Sequence, residues 1–401
     1  MNNEIVRYNL HLCKHKNNWM KRLLPIMMLI LALQNSVCAQ FDTSLHVKIS
    51  LLTCSPGEEL YTSFGHTGIR IVDSIAHTDV VFNYGTFDFD QPNFYMKFIR
   101  GKLNYMISEN SYDDFMEEYH ETQRSVAEQD LNLNNEEKKF VIRFLYTNYL
   151  PQNRNYKYDF LYDNCATRIR DILFNKISGV SLTTPIVQPN TTFRNLIYFY
   201  LDRSGQPWSK LGIDILLGSP VDKKLDNNTS MFLPDFLSKA ASAATIHGHP
   251  YVLAERKLID VQSPNQPEGA YTPLIVFIIA CVALILIYFL CRKNLFITHL
   301  IDSALLYLTG LLGLFLLFMW FCTDHQTCLY NYNILWAIPT NFFAAFFVWK
   351  KREWLRIYFV LTSIVSLILL LGWWLLPQHF NIALLPFCIL MLIRYFYLAK
   401  K

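Results

Sequence analysis

From residue 272 to the last residue the chain is a succession of apolar runs, at about 272–291, 300–322, 334–349, 356–376 and 382–398. A helix rising about 1.5 Å per residue needs about 20 residues to cross about 30 Å of hydrocarbon, so the pattern predicts five transmembrane helices. Upstream the period changes. Leu45, Val47, Ile49 and Leu51 alternate with polar residues, the two-residue repeat of a half-buried strand. HTGIRIV and VVFNYGTF, joined across DSIAHTD, predict an antiparallel hairpin with His66 at the mouth of its first strand. His66, Gly68 and Arg70 would share one face of that strand, and Ile69 and Ile71 the other. Helical spacing follows near 111–124 and 134–149, the second opened by Asn134-Asn135-Glu136-Glu137, whose acidic residues suit a helix N-terminus. Tyr156, Tyr158, Phe160 and Tyr162 then alternate through YKYDFLY. Asp163-Asn164 supplies a cap, and Ile169, Ile172 and Leu173 recur at helical spacing, so Cys165 opens a helix.

The ends of the chain set its topology. Residues 14–22 (KHKNNWMKR) are basic, residues 23–33 are an apolar run, and Val37-Cys38-Ala39 precedes Gln40 with a small residue at −1, which reads as a secretory signal over 1–39. Cys38 makes a poor lipobox, because Asn35-Ser36-Val37 lacks Leu at −3 and a small residue at −1. Basic residues fall in alternate gaps of the membrane part: Arg292 and Lys293, then Lys350, Lys351, Arg352 and Arg356, then Lys400 and Lys401. By the positive-inside rule the C-terminus is cytoplasmic and the block 40–271 lies outside, in the periplasm of a bacterial inner membrane. Composition agrees: 52% of the 401 residues are hydrophobic and only 17% charged, too apolar for a soluble or disordered protein. Residues 40–271 carry 28 acidic against 22 basic side chains, which argues against a nucleic-acid partner. The nine cysteines form no CxxC pair, and there is no GxxxxGK[ST], GxGxxG or HExxH, so no metal or cofactor is called for.

A thiol at a helix start and a histidine on an antiparallel strand are the parts of papain-type nucleophilic catalysis. The helix dipole and the first backbone N–H groups favour a thiolate at Cys165 and offer donors to a developing oxyanion. His66 precedes Cys165, the order of the circularly permuted branch of that superfamily. Asn83, on the neighbouring strand, is a candidate to orient His66. Asn164 and Tyr61 are further candidates to orient or bind, although Asn164 is equally well explained as a cap. Cys165 has plainer readings too, as a small buried hydrophobe or as half of a disulfide with Cys54 or Cys328. The stretch NFYMKFIRGKLNYM, with Lys97, Arg100 and Lys102 among aromatic residues, reads as a surface lying against lipid head groups or as an ordinary amphipathic helix. The outer loop TDHQTCLYNYN places His325, Asn331 and Asn333 on the same side as Cys165. They would either be wetted loop residues or form a floor to the site that meets a lipid head or substrate.

The strings LLTCSPGEELYTSFGHTGIRI, NYGTFDFDQPNFYMKFIRGKLNYMI, YDFLYDNCATRIRD, WSKLGIDILLG and MFLPDFL, in that order, resemble the extracytoplasmic domain of Lnb-type lipoprotein N-acyltransferases, and TDHQTCLYNYNILWAIP resembles their membrane part. One departure is Gln326, where the family tends to have Pro. The resemblance implies an α+β fold, a circularly permuted papain-like (NlpC/P60-like) thiol domain over 40–271 followed by a transmembrane domain over 272–401, with Cys165 and His66 as the catalytic pair. It implies transfer of an acyl chain from a membrane phospholipid, through a Cys thioester, to the α-amine of the diacylglyceryl-cysteine of an apolipoprotein. Two other readings remain open on the residues alone: a membrane-anchored periplasmic amidase or peptidase acting on peptidoglycan, and a non-catalytic envelope sensor.

Overall fold

A computed structural model describes residues 46–261, 271–350 and 352–400. The expected signal segment 1–39 lies outside the described residues, as does the stretch 262–270 just before the first membrane helix. Strands β1 (Val47–Cys54), β2 (His66–Asp73), β3 (Thr78–Thr86), β4 (Asn104–Ser111), β5 (Val126–Leu131), β6 (Asn155–Lys157) and β10 (Val252–Ile259) form one antiparallel sheet in the order β10-β5-β1-β2-β3-β4-β6. A small ribbon of β7 (Val180–Ser181), β8 (Thr245–Ile246) and β9 (His249–Pro250) lies apart from it. Ile49, Leu51, Ile69, Ile71, Phe82 and Tyr84 are buried on the face that the helices cover, which is why the two-residue alternation of β1 and β2 was so regular.

Six helices complete the soluble part up to residue 216: α1 (Phe94–Ile99), α2 (Tyr112–Glu121), α3 (Asn135–Tyr149), α4 (Cys165–Arg170), α5 (Phe193–Arg203) and α6 (Pro207–Leu216). α7 (Pro234–Ala243) packs with α3 and α4 in the main core, while Phe115 and Tyr119 of α2 cover the opposite face of the sheet. α3 begins with a reciprocal cap: the Asn134 side chain accepts from the Glu137 N–H and the Glu137 carboxylate accepts from the Asn134 N–H. The alternation through YKYDFLY gives a strand only as far as Lys157. Asp159 Oδ1 then accepts from the N–H groups of Leu161 and Tyr162, both at 2.9 Å, and folds the chain into a turn.

Of the five expected membrane helices, four are continuous: α8 (Thr272–Leu290), α9 (Leu295–Phe321), α10 (Glu353–Leu371) and α11 (Leu385–Ala399), the last led in by a short turn from Ile382. The run 334–349, where the remaining helix was expected, is interrupted. Pro339 has no N–H and restricts the residue before it, which favours a break in the helix there. It is built of short pieces, a 3-10 turn at Tyr332–Leu335 and a single α-helical turn at Asn341–Ala344, with tight turns between and after them, as in Asn341 N–H to Ile338 O at 3.0 Å and Lys350 N–H to Phe347 O at 2.8 Å. Irregular backbone at membrane depth must be shielded from lipid by protein. The glycines of α9 provide the shield: a Cβ at Gly310 would run into the backbone of Asn341 and Phe342, and one at Gly313 into the Ala337 carbonyl. The fully buried Asn341 then ties three elements together, donating to Thr309 Oγ1 (3.1 Å) and Tyr395 OH (2.6 Å) and accepting from Tyr358 OH (2.7 Å).

The soluble part and the helices pack as one unit, His46–Lys401. A helix leaves its last carbonyls without partners, and α6 ends where the loops of the membrane part arrive. Asn333 Nδ2 donates to Asp214 O (3.0 Å) and Ile215 O (3.2 Å), Asn331 Nδ2 to Ile215 O (2.8 Å) and Leu216 O (3.0 Å), and Gln378 Nε2 to Leu217 O (3.0 Å). Beside them the buried Arg194 pairs with Asp214 at 2.5 Å and with Asp222 at 2.9 Å, and Asn381 donates to Asp214 at 2.9 Å. Replacing Asn333 by Ala would leave two buried carbonyls without that donor, and should lower the stability of the full-length protein by about 1–3 kcal/mol, read as a lower Tm in detergent.

Candidate active site

Three elements bring the site together. β2 starts at His66, its neighbour β3 carries Asn83, and α4 starts at Cys165. Register sets the first pair: Gly68 lies opposite Asn83, so the Asn83 side chain can lean back along β2 to the imidazole two residues earlier. His66 Nε2 lies 3.1 Å from Asn83 Oδ1. Asn83 Nδ2 donates to Asn110 Oδ1 at 3.1 Å, and Ser108 Oγ donates to the same oxygen at 3.3 Å. With its amide held that way round, Asn83 presents an acceptor to His66. Nε2 therefore carries the proton and donates, and Nδ1 keeps its lone pair. Gly68 makes room for this arrangement. A Cβ there would lie 3.0 Å from Asn83 Oδ1 and 2.9 Å from Val81 Cγ1.

Cys165 is placed by the cap before it. Asn164 Oδ1 accepts from the Thr167 N–H at 2.9 Å, Thr167 Oγ1 accepts from the Asn164 N–H at 2.7 Å, and Asn164 Nδ2 donates to the carbonyls of Phe160 (2.7 Å) and Phe232 (2.9 Å). Asn164 is thus fully engaged as a structural residue. The half-buried Cys165 sulfur is free, as are Cys54 and Cys328, so neither of the disulfides weighed from sequence is present. Backbone amides of Thr67, Ala166 and Cys165 itself surround the sulfur. Thr67 follows His66 directly, which puts thiol and imidazole at the same end of the sheet.

The electrostatics depart from the expectation of a helix-start thiolate. Burial pushes the Cys165 thiol up to about 11, and the three backbone amides and the Arg124 charge only partly offset it. Burial also drops His66 to about 4, against the opposing hydrogen bond it donates to Asn83 and with the Arg124 charge adding to the drop. Both partners therefore rest in their neutral forms. Cys54, opposite His66 in the sheet, is driven up to about 12 by burial.

Arg124 was not singled out from sequence. It lies just before β5, 6% exposed, with Nε donating to Ser55 O at 2.8 Å, its guanidinium 4.7 Å from the Tyr119 ring, and Nη2 without a hydrogen-bond partner. A lone arginine ahead of a strand carries no sequence signal for this position.

The remaining candidates lie elsewhere. Tyr61 is 71% exposed on a single turn, Leu60–Thr62, outside the hydrogen-bonded cluster. Asn331 and Asn333, read either as wetted loop residues or as a floor meeting a lipid head or substrate, are buried at 1% exposure each and donate to the end of α6. His325 Nε2 faces the carbonyls of Phe98 (3.0 Å) and Ile99 (3.1 Å) and so joins the outer loop to α1.

A mixed α/β domain that holds a Cys–His–Asn cluster at one end of an antiparallel sheet, and is fixed to apolar helices long enough to cross a bilayer, defines a membrane-borne thiol domain. The chain belongs to the Lnb family: residues 35–198 match the Lnb N-terminal periplasmic domain and residues 265–401 the Lnb transmembrane domain. The name of the latter model counts five helices, and the broken stretch around Pro339 stands where the fifth would be. No curated protein and no solved structure matches the chain.

A neutral resting pair has a kinetic signature. Alkylation of Cys165 by iodoacetamide, which consumes thiolate, should climb close to tenfold per pH unit from pH 6 to 9. A plateau across neutral pH would mean that a thiolate–imidazolium pair had already formed. Gly68→Ala should displace the Asn83 amide from His66, since its Cβ would lie 3.0 Å from Asn83 Oδ1, and a shift of the His66 and Asn83 side-chain NMR resonances at a Tm lowered by no more than a few degrees would check it.

Proposed function

We propose that the protein is a lipoprotein N-acyltransferase, with Cys165 as nucleophile, His66 as general base and acid, and Asn83 as the residue that positions His66. The observation that carries this reading is the His66–Asn83–Asn110 chain beside a free thiol at a helix start, in a domain fastened to membrane helices, where phospholipid and lipoprotein substrates both reside. Among the described residues four helices are long and apolar enough to cross a membrane, which supports a multi-pass bacterial inner-membrane protein. In this reading residues 40–271 face the periplasm and the C-terminus is cytoplasmic.

His66 Nδ1 takes the thiol proton as sulfur attacks the ester carbonyl of a phospholipid. Because ionising either group alone is costly in this buried setting, proton transfer is coupled to S–C bond formation rather than preceding it. Backbone N–H groups at the start of α4 receive the oxyanion. The C–O bond breaks, His66 returns the proton to the departing alkoxide, and a lysophospholipid leaves an acyl thioester on Cys165. The α-amine of the diacylglyceryl-cysteine then attacks, and His66 accepts the amine proton. The C–S bond breaks, the amide is released, and the thiolate recovers its proton from His66. A thioester is a good donor to an amine, and a water-poor site suppresses its hydrolysis.

Mass spectrometry of a lipoprotein N-terminal peptide is the test, from cells in which this protein is the sole candidate N-acyltransferase. Wild type should add one acyl chain, and Cys165→Ala none at equal expression. Triacylated peptide from Cys165→Ala would remove the mechanism, and absence of the chain from wild type, accompanied by muropeptide cleavage, would replace transfer with amidase chemistry. His66→Ala should cost roughly 10²–10⁴ in rate. Asn83→Ala should cost up to about 10², through a misplaced imidazole. The acid limb of the turnover profile should lie near the lowered His66 value of about 4 rather than the ordinary 6.5.

A further inference from the structure

α1 is the least sheltered helix of the soluble part. None of its six residues is buried, and Tyr95 (76%), Met96 (58%), Phe98 (51%) and Ile99 (41%) stand exposed together with Phe89 (64%) from the loop before it. A contiguous apolar patch of this kind is kept where something other than water covers it. Its place in the fold indicates what does. The Asp324 N–H donates to Arg100 O at 2.9 Å, His325 Nε2 meets the last carbonyls of α1, and Lys157 pairs with Asp324 at 3.3 Å. Asp324 comes three residues after Phe321, the last residue of α9, so α1 is held within roughly 10 Å of the end of a membrane helix. The head-group layer beyond the hydrocarbon is itself about 5–7 Å thick. Lys97, Arg100 and Lys102 follow on the same short segment, with Asp88 and Asp90 on the loop before it.

The patch is also continuous with the nucleophile. Phe87 touches Phe89 (4.8 Å between ring centres) and Phe94 (5.9 Å) on one side and Tyr105 (5.3 Å) on the other, and Tyr105 stacks on Tyr158 at 4.5 Å. Tyr158 and Cys165 flank Gly85: a Cβ on that glycine would lie 3.8 Å from both the Tyr158 ring and Cys165 Cβ. A line of aromatic contacts thus runs from the exposed helix to Tyr158, beside the glycine that Cys165 also flanks.

We propose that α1 and the loop before it form an interfacial dock, seated in the head-group layer of the bilayer, that receives a phospholipid and leads its acyl ester along Phe87, Tyr105 and Tyr158 to Cys165. Aromatic side chains take the acyl chain, and Lys97, Arg100 and Lys102 face the phosphates. The assignment of the occupant as acyl donor rests on the acyltransferase reading, whereas the contact with lipid does not.

Photo-crosslinking separates the two. Tyr95 is replaced by p-benzoylphenylalanine in the full-length protein, in vesicles of phosphatidylethanolamine and phosphatidylglycerol, with the same label at Ile75 as the reference. Ile75 is 52% exposed at the opposite end of β2 and β3. Illumination should give phospholipid adducts at Tyr95 at least about tenfold above Ile75, in the wild type and in Cys165→Ala alike. Adducts to a second protein chain, or a lipid yield no higher than at Ile75, would overturn the dock. Tyr95→Glu combined with Met96→Glu should also lower acyl transfer from vesicle phospholipid by about tenfold or more at unchanged Tm. Transfer at the wild-type rate would show that the donor does not pass over α1. Failure of the acyltransferase reading would instead leave wild-type protein without transfer while the lipid adducts persisted.

Discussion

The soluble domain is fastened to the membrane helices by side-chain amides that complete the end of α6. Asn331, Asn333 and Gln378 are each at most 1% exposed, and their donors go to carbonyls that a free helix end would offer to water. With water excluded, a lost donor leaves a buried acceptor unpaired, so the join is far more sensitive to one missing amide than to one missing methyl group. Arg194, shared between Asp214 and Asp222, extends the same network into the soluble domain. The position of the thiol relative to the apolar helices follows from this join. It also depends on the second contact, where the loop after α9 meets the last carbonyls of α1.

Geometry around the sulfur follows from local rules acting at a distance. The cap at Asn164 fixes where α4 begins, the β2–β3 register fixes which residue reaches His66, and Gly68 keeps the space between them open. None of these would suffice alone. A shift of one residue in that register would turn Asn83 to the other face of the sheet and leave the imidazole without a fixed tautomer.

What could be read from the chain was whatever is encoded in short periods. β1, the β2–β3 hairpin, α3 with its acidic first turn, and Cys165 at a helix start all follow from spacing and capping within about a dozen residues. Asn83 could be named as a neighbour of His66 because a hairpin fixes its own register. What escaped was set by partners far along the chain. Asn331 and Asn333 looked like polar loop residues because the α6 carbonyls they serve lie over a hundred positions earlier. Arg124 became visible only when the sheet brought it beside Cys54 and Ser55. The third apolar run matched a membrane helix in hydropathy, which does not register that Pro339 removes a hydrogen bond or that Gly310 and Gly313 let another backbone fill the gap.

The depth at which the two thiols lie bears on how such a protein survives outside the cytoplasm. Cys165 and Cys54 are close enough to feel each other's charge, a hazard in a compartment that oxidises paired cysteines. Disulfide exchange and peroxide attack both begin from the thiolate. Burial pushes the Cys165 thiol up to about 11 and Cys54 up to about 12, so both favour the thiol over the thiolate at neutral pH. The same burial that raises the Cys165 thiol therefore also shields it from oxidation.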